Sequence, residues 1–305
     1  MRPLPGAAVK VIVTGSSGLI GSELVAELTR QDHQVTRLVR RPAKPGEAMW
    51  DPAAGTIEAE KLEGHDAVVN LAGVGIGDHR WTDDHKRAVR ESRVKGTDLL
   101  TRTLAALDSP PKVLASGSAV GYYGYESDLP VTEASPRGAG FLADVVAEWE
   151  EATAPAADAG IRVVRFRSGV VLTAKGGALK KELLPFKLGV GGRLGTGKQW
   201  LSWISLDDEV AGIIHLLTDD SMEGPVNLTS PDPVTNAEFT ATLARVLKRP
   251  AFMPVPKLAL HALFGQEMTK EMLLGGQRVL PAALELSKFS FAHPTVEDAL
   301  RHTLS

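Results

Sequence analysis

The chain has no cysteine among its 305 residues. That excludes disulfides, thiolate metal sites and a cysteine nucleophile together. Tyrosine is scarce, with 3 residues, at positions 122, 123 and 125. A dominant charge is missing as well: 34 Lys and Arg face 37 Asp and Glu, for a net −3. Nothing general therefore draws the chain to nucleic acid or to an anionic membrane surface. No apolar run reaches the ~18 residues of a membrane span. The 8 histidines lie at 33, 65, 79, 85, 215, 261, 293 and 302. They show no H-x-x-x-H or H-E-x-x-H spacing, so no metal site is expected. Met1–Gly6 lacks an apolar signal core, and a cytoplasmic location is the expectation.

What is present is organised around residues 9–22. A β-branched run, Val11 to Val13, stops at Thr14 and is followed by glycines at 15, 18 and 21 and then by a helical pattern, Leu19, Ile20, Leu24, Val25 and Leu28. Strand, glycine turn and helix in this order form a dinucleotide site. Gly15 turns the chain, Gly18 lets backbone approach a pyrophosphate, and Gly21 lets the helix pack on the strand. Ser16, Ser17, Leu19 and Ile20 complete that contact. The spacing is G-x-x-G-x-x-G rather than G-x-G-x-x-G.

A second strand, residues 34–40, ends Val39-Arg40-Arg41 with no acid between 35 and 41. An NAD site places Asp or Glu there for the ribose 2′-hydroxyl, whereas a guanidinium suits a 2′-phosphate. NADP(H) is thus the expected cofactor, with Val39 and Arg40 beside it. Residues 42–55 read as a Pro/Gly-rich connection and 57–62 as a short helix. Trp50 reads as core or as a lid over the cofactor. His65 to Gly73 is a strand whose small C-terminal residues, Leu71, Ala72 and Gly73, are placed to line the cofactor. Thr82 caps a helix over 83–107, and residues 112–116 form the next strand, ending at Ser116, which is expected to touch the cofactor. An acidic, Gly/Pro-rich loop is expected over 125–140. A helix follows over 141–159, broken or bent by Pro155, then a strand over 161–167. Alternating strands and helices give a parallel, doubly wound α/β sheet. Beyond 176 the chain turns Gly-rich and then less regular. Asp207-Asp208-Glu209 reads as the capping run of a helix. Trp200, Trp203 and Phe186 read as pocket walls or as core. Glu150 reads as an exposed or structural carboxylate, and Arg167 as a structural ion pair or a substrate contact.

These residues resemble the extended short-chain dehydrogenase/reductases, in their nucleotide-sugar epimerase-like branch. Gly15 to Gly21, Asn70-Leu-Ala-Gly73, the Ser118 to Gly124 turn and Trp203 to Asp208 carry the likeness. Arg80-Trp81, Ser92-Arg93, Trp149-Glu150, Arg167 to Val171 and Gly276 to Pro281 narrow it to the atypical "epimerase family" subgroup. That subgroup has an extra C-terminal helical module and is sometimes labelled a cell-division inhibitor. The resemblance implies a Rossmann domain, 7–172 plus 204–230, and a smaller, mostly helical substrate lobe, 173–203 plus 231–305. It implies a homodimer paired through the 83–107 and 141–158 helices, and it places Arg93 near the cofactor's phosphates or adenine. It also implies a catalytic Ser, at Ser118, and a Tyr-x-x-x-Lys pair, with Tyr moving a proton while hydride moves at the nicotinamide. Here the pair's positions hold Phe141 and Val145, and no other Tyr-x-x-x-Lys exists. Tyr122 or Tyr123 is left as the substitute acid. The expected function is an oxidoreductase or epimerase-like enzyme on a small carbonyl or sugar-nucleotide-like substrate. The alternative is a non-catalytic NADP(H)-binding sensor or regulator.

Overall fold

The computed structural model describes residues 8–305. Met1–Gly6 and residue 7 of the expected first domain lie outside the described residues. The chain begins β1 (Lys10–Thr14), α1 (Leu19–Arg30), β2 (Gln34–Val39), β3 (Glu47–Asp51), β4 (Thr56–Ile57), β5 (Ala67–Asn70), α2 (Asp83–Ala105), β6 (Val113–Ala119) and β7 (Glu126–Val131). It continues α3 (Phe141–Glu151), α4 (Ala154–Asp158), β8 (Arg162–Ser168), β9 (Val170–Leu172), α5 (Gly177–Lys187), β10 (Trp200–Leu201), β11 (Trp203–Ser205), α6 (Leu206–Thr218) and β12 (Gly224–Leu228). The last part holds β13 (Val234–Thr235), α7 (Asn236–Leu247), α8 (Lys257–Phe264), α9 (Gln266–Met268), β14 (Gly276–Val279), α10 (Ala282–Leu286) and α11 (Val296–Leu304).

Eight strands make one sheet in the order β12-β8-β6-β5-β1-β2-β3-β4. All its neighbours are parallel except the edge pair β3 and β4. The two-residue period of β1 sends Val11 and Val13 to one face and Ile12 to the other. Val11 and Val13 pack with Leu24 and Leu28 of α1 and Ile213 and Leu217 of α6. Ile12 packs with Leu100 and Leu104 of α2 and with Trp50. Both faces are covered, which is why the strands read as apolar runs. A third core joins Leu179, Leu183 and Phe186 of α5 to Trp203, Phe239, Leu243 and Leu300. Among the described residues no helix is long and apolar enough to cross a membrane.

Several local expectations change. Residues 42–55 contain β3, and Trp50 is core at 2% exposure, not a lid. The expected loop over 125–140 contains β7, which pairs in parallel with the distant β14. The helix over 57–62 is one 3-10 turn, Ala59–Lys61. The 141–159 helix is broken into α3 and α4, with Pro155 in the first turn of the second. Trp203 and Phe186 are core, whereas Trp200 is half-buried. Thr82 does cap α2, accepting from the His85 amide. At α6 the cap is Ser205, which accepts from the Asp208 amide at 3.0 Å. Asp208 itself turns inward to accept from the amides of Ala292 and His293.

Candidate active site

The chain leaves β1 for β2 on one side and returns at β5 on the other. This reversal opens a crevice at the carboxyl ends of β1 and β5, the place where open α/β sheets bind ligands. Gly15 turns there at φ +64. A Cβ on Gly15 would stand 2.6 Å from the Leu71 carbonyl oxygen, and one on Gly21 would stand 2.2 Å from that of Gly15. Both positions therefore need glycine, Gly21 because α1 packs directly against the Gly15–Ser16 backbone. Gly18 is the extended N-cap of α1 and brings no side chain to it. The first-turn amides of Leu19, Ile20 and Gly21 have no intrahelical carbonyl to bond and lie at the positive end of the helix dipole. Ser17 and Gly18 are exposed and Ser16 half-buried beside them. Leu19 packs its side chain toward Gly176, and Ile20 packs on the core.

Thr14 fastens the two strands below the crevice. Its hydroxyl donates to Asn70 Oδ1 at 2.7 Å and accepts from the amides of Leu71 and Ala72. Asn70 Nδ2 donates onward to the hydroxyls of Thr97 and Ser116. Trp149 Nε1 also donates to Thr97. This corrects the placement of Ser116. It has no accessible surface, so it braces Asn70 from beneath and offers a ligand nothing.

Two guanidiniums at the crevice lack acids. Arg40 is exposed at the end of β2, next to the half-buried Val39, and has no ion-pair partner among the described residues. Its neighbour Arg41 is bound at two points by Glu47. Arg93 of α2 is 9% exposed. Its Nη1 donates to the carbonyls of Val74 and Val89, and its Nε has no partner. It lies over the Trp149 ring at 5.1 Å, and a Cβ on Gly73 would stand 3.1 Å from its Cζ. Burial pushes it down to about 10. It stays charged at neutral pH, with no carboxylate facing it among the described residues.

A second group sits at the ends of β6 and β8. Arg167 donates from Nε and Nη2 to Glu150 at 2.7 and 2.8 Å, and from Nη1 to the Tyr123 hydroxyl at 2.9 Å. Ser118 donates to Glu150 at 2.6 Å, and Tyr123 donates to Asn227 Oδ1 at 2.7 Å. Burial alone would depress Arg167, but the hydrogen bonds and charge of Glu150 outweigh it and hold the guanidinium above its ordinary value. Burial raises the Tyr123 phenol, against the opposing pull of Arg167. Glu150 is thus a buried structural carboxylate, and Arg167 is its ion-pair partner. Ser118 and Tyr123 are each 5% exposed. Both hydroxyls are engaged inside the protein, Ser118 with Glu150 and Tyr123 with Asn227 and Arg167. Tyr122 differs. Its ring lies 3.5 Å from the Arg167 guanidinium, it is half-buried, and its hydroxyl has no partner among the described residues.

Where Tyr and Lys are expected, the Phe141 ring meets Trp81 edge-on at 5.1 Å and Lys86 Nζ at 4.5 Å. Val145 is buried. The Phe141 and Leu142 amides donate to Glu271, which reaches back from the C-terminal region to cap α3.

The family model described as the NAD dependent epimerase/dehydratase family matches residues 11–228. The chain belongs to that family. A second model, a domain of unknown function (DUF1731), matches residues 255–303 of this epimerase-family chain. Epimerase family protein Mb2239 of Mycobacterium bovis is 46% identical over 291 residues, covering 95% of this chain and 96% of its own. Human epimerase family protein SDR39U1 (isoform 2), crystallised with NADPH, superposes with a TM-score of 0.89 at 35% identity, across 96% of this chain and 98% of that one. A nucleoside-diphosphate sugar epimerase from Corynebacterium glutamicum gives a TM-score of 0.82 at 37% identity, across 99% of this chain and 59% of that one.

The epimerase-family chain also gathers residues that no local spacing announces. Asn227 and Glu133 join the Tyr123 group to the C-terminal region: Asn227 Nδ2 donates to the Leu280 carbonyl, and Glu133 accepts from the amides of Asn227 and Ala283. Asp207, His293 and His302 converge, with ligand atoms within 4.8 Å of one another. His302 Nε2 lies 2.7 Å from Asp207 Oδ2, so the group ties α11 to the start of α6. These residues are far apart in the chain, which is why a search for short histidine spacings misses them.

Proposed function

We propose that this chain is an NADP(H)-dependent oxidoreductase or epimerase-like enzyme acting on a small carbonyl or sugar-nucleotide-like substrate. The observation that carries the reading is the buried Arg93 guanidinium, unpaired by any acid among the described residues and set against Gly73 at the crevice. A buried cation without an anion is costly, and a cofactor phosphate removes that cost. The residues present fit the group: a turn that admits only glycine at 15 and 21, first-turn amides on α1 with no intrahelical carbonyl to bond, and Arg40, which has no acid partner among the described residues. The likeness to the human protein crystallised with NADPH supports the same assignment.

In this reading the α1 amides and Arg93 hold the cofactor's phosphates, Arg40 holds the 2′-phosphate, and Leu71, Ala72 and Gly73 line the crevice. The bound nicotinamide supplies hydride transfer. Tyr122 gives or takes the proton at the substrate oxygen, and the guanidinium on its ring face brings the positive charge that Lys supplies in the Tyr-x-x-x-Lys arrangement. Ser118 and Tyr123 act through Glu150 and Arg167 as positioning residues. Residues 7–172 plus 204–230 form the cofactor domain, and 173–203 plus 231–305 the substrate lobe. The same reading includes a cytoplasmic homodimer paired across α2, α3 and α4, which light scattering tests.

The test is deuterium transfer from 4-deuterated NADPH to a panel of carbonyls and sugar nucleotides. Tyr122→Phe should lower kcat by about 100-fold or more. Unchanged turnover in that variant rejects the assignment. A second reading, a non-catalytic NADP(H)-binding sensor or regulator, is favoured by Phe141 and Val145 and by the engaged hydroxyls of Ser118 and Tyr123. Absence of deuterium transfer to every panel member, in a chain that binds NADPH, selects it.

A further inference from the structure

Among the described residues, Asp207, His293 and His302 are the one group of three side chains able to share a metal ion, with ligand atoms within 4.8 Å of one another. His302 Nε2 lies 2.7 Å and His293 Nε2 3.8 Å from the same oxygen, Asp207 Oδ2. The two imidazole rings stack at 4.3 Å and 24°. Both rings thus bring Nε2 toward one carboxylate oxygen. Only the nearer can hydrogen-bond it, because 3.8 Å is beyond hydrogen-bond reach. Among the described residues no Lys or Arg pairs with Asp207 in their place.

The backbone that carries the three ligands is fixed. Asp207 stands in the first turn of α6, a 13-residue helix capped by Ser205. The adjacent Asp208 accepts from the His293 amide at 3.0 Å and so fastens the second ligand beside the first. His302 lies on α11, whose Ala299 and Leu300 are fully buried. Residues of α6 pack on the main sheet, and those of α11 pack in the third core. Zn²⁺ takes imidazole nitrogen and carboxylate oxygen at about 2.0–2.2 Å, so its tetrahedral ligands stand about 3.3–3.6 Å apart. The separations of 2.7 and 3.8 Å from Asp207 straddle that range, and small side-chain rotations are enough to admit an ion. Imidazole with carboxylate suits Zn²⁺, whereas Mg²⁺ and Ca²⁺ take oxygen ligands.

We infer that Asp207, His293 and His302 form a Zn²⁺ site that cross-links α6 to α11, and with them the two cores. The side chains of Asp207 and His302 are more than half exposed, so an ion can enter from solvent and water completes its coordination. The three ligands come together only in the folded chain. Binding therefore adds stability that grows with the concentration of the ion. The site lies apart from the cofactor crevice, and the inference needs neither NADP(H) nor Tyr122.

The experiment is calorimetric titration of the full chain, stripped with EDTA and dialysed free of it, with ZnCl₂ and separately with MgCl₂. The native chain should take up one Zn²⁺ saturably and bind Mg²⁺ far more weakly. His302→Ala and Asp207→Asn should each weaken Zn²⁺ binding about tenfold or more, since the loss of even an outer partner of a ligand costs that much. The midpoint of thermal unfolding should rise with Zn²⁺ in the native chain and not in these variants, and their cooperative unfolding without metal shows that they fold. His79→Ala is the control, because His79 and His85 are another close pair of rings, 5.4 Å between centroids. It should bind Zn²⁺ as the native chain does. Absence of saturable Zn²⁺ binding to the native chain overturns the inference. So does equal Zn²⁺ affinity in the native, His302→Ala and Asp207→Asn chains, and so does loss of binding in His79→Ala.

Discussion

Glu150 and Arg167 face each other at two points, Oε1 to Nε at 2.7 Å and Oε2 to Nη2 at 2.8 Å, with side chains 7% and 3% exposed. Removing one partner leaves the other charge buried and unpaired. Glu150→Ala should therefore destabilise the chain by about 3–5 kcal/mol. Replacing both residues by apolar ones of similar volume should cost less than either single change. Urea unfolding of the two single variants and the double variant checks this. A double variant as unstable as the sum of the singles would contradict the pairing.

Thr14 carries a different load. One hydroxyl serves Asn70 Oδ1 and the amides of Leu71 and Ala72. Thr14→Val keeps the shape and removes all three partners. The expected cost is about 1–3 kcal/mol, the penalty for buried polar groups left unmade. The variant should also bind NADPH more weakly, because the Leu71–Ala72 backbone lines the crevice. A stability loss with unchanged NADPH affinity would separate this network from the site.

Glu209 predicts a pH dependence. It is fully buried on α6, accepts from Ser168 at 2.5 Å through Oε1, and has no partner for Oε2. Burial pushes it up to about 8 from an ordinary 4.5, against the opposing hydrogen bond of Ser168. The folded chain thus keeps a proton that the unfolded chain releases between those values. Its contribution to stability is full below the lower value and is lost as pH rises through the upper one, by at most about 1.4 kcal/mol per pH unit. Glu209→Gln should flatten that slope in unfolding measurements over the same window. An unchanged slope would assign it to other groups.

The parts of the fold legible in the sequence are those fixed by neighbours along the chain. The turn at Gly15, Gly18 and Gly21 is written within one strand and one helix, and Arg40 is fixed by the end of β2. Thr82 and Pro155 likewise mark ends that need no distant partner. The candidate site is less legible because its groups come from separate elements. Glu150 reads as an ordinary helical acid until β8 brings Arg167 against it. Ser116 and Ser118 are two residues apart on one strand, so they share a face. That spacing does not reveal that Asn70 covers the first and Glu150 engages the second. β7 gains its strand character only from β14, more than a hundred residues later, and the Pro/Gly content of 125–140 hides it. Glu271 caps α3 from the same distance. A helix start without a local cap, at Gly140, is the one trace it leaves in the sequence.

The central claim is that the crevice holds NADP(H), with Arg40 on the 2′-phosphate. Fluorescence titration of NADPH and NADH against the native chain, Arg40→Ala and Arg41→Ala tests it most directly. The native chain should prefer NADPH. Arg40→Ala should lose about tenfold or more in NADPH affinity, as expected for removing a charge-assisted contact, with NADH binding unchanged. Arg41→Ala should bind as the native chain does, because Arg41 is occupied by Glu47. Equal affinity of the native chain for NADPH and NADH would contradict the claim.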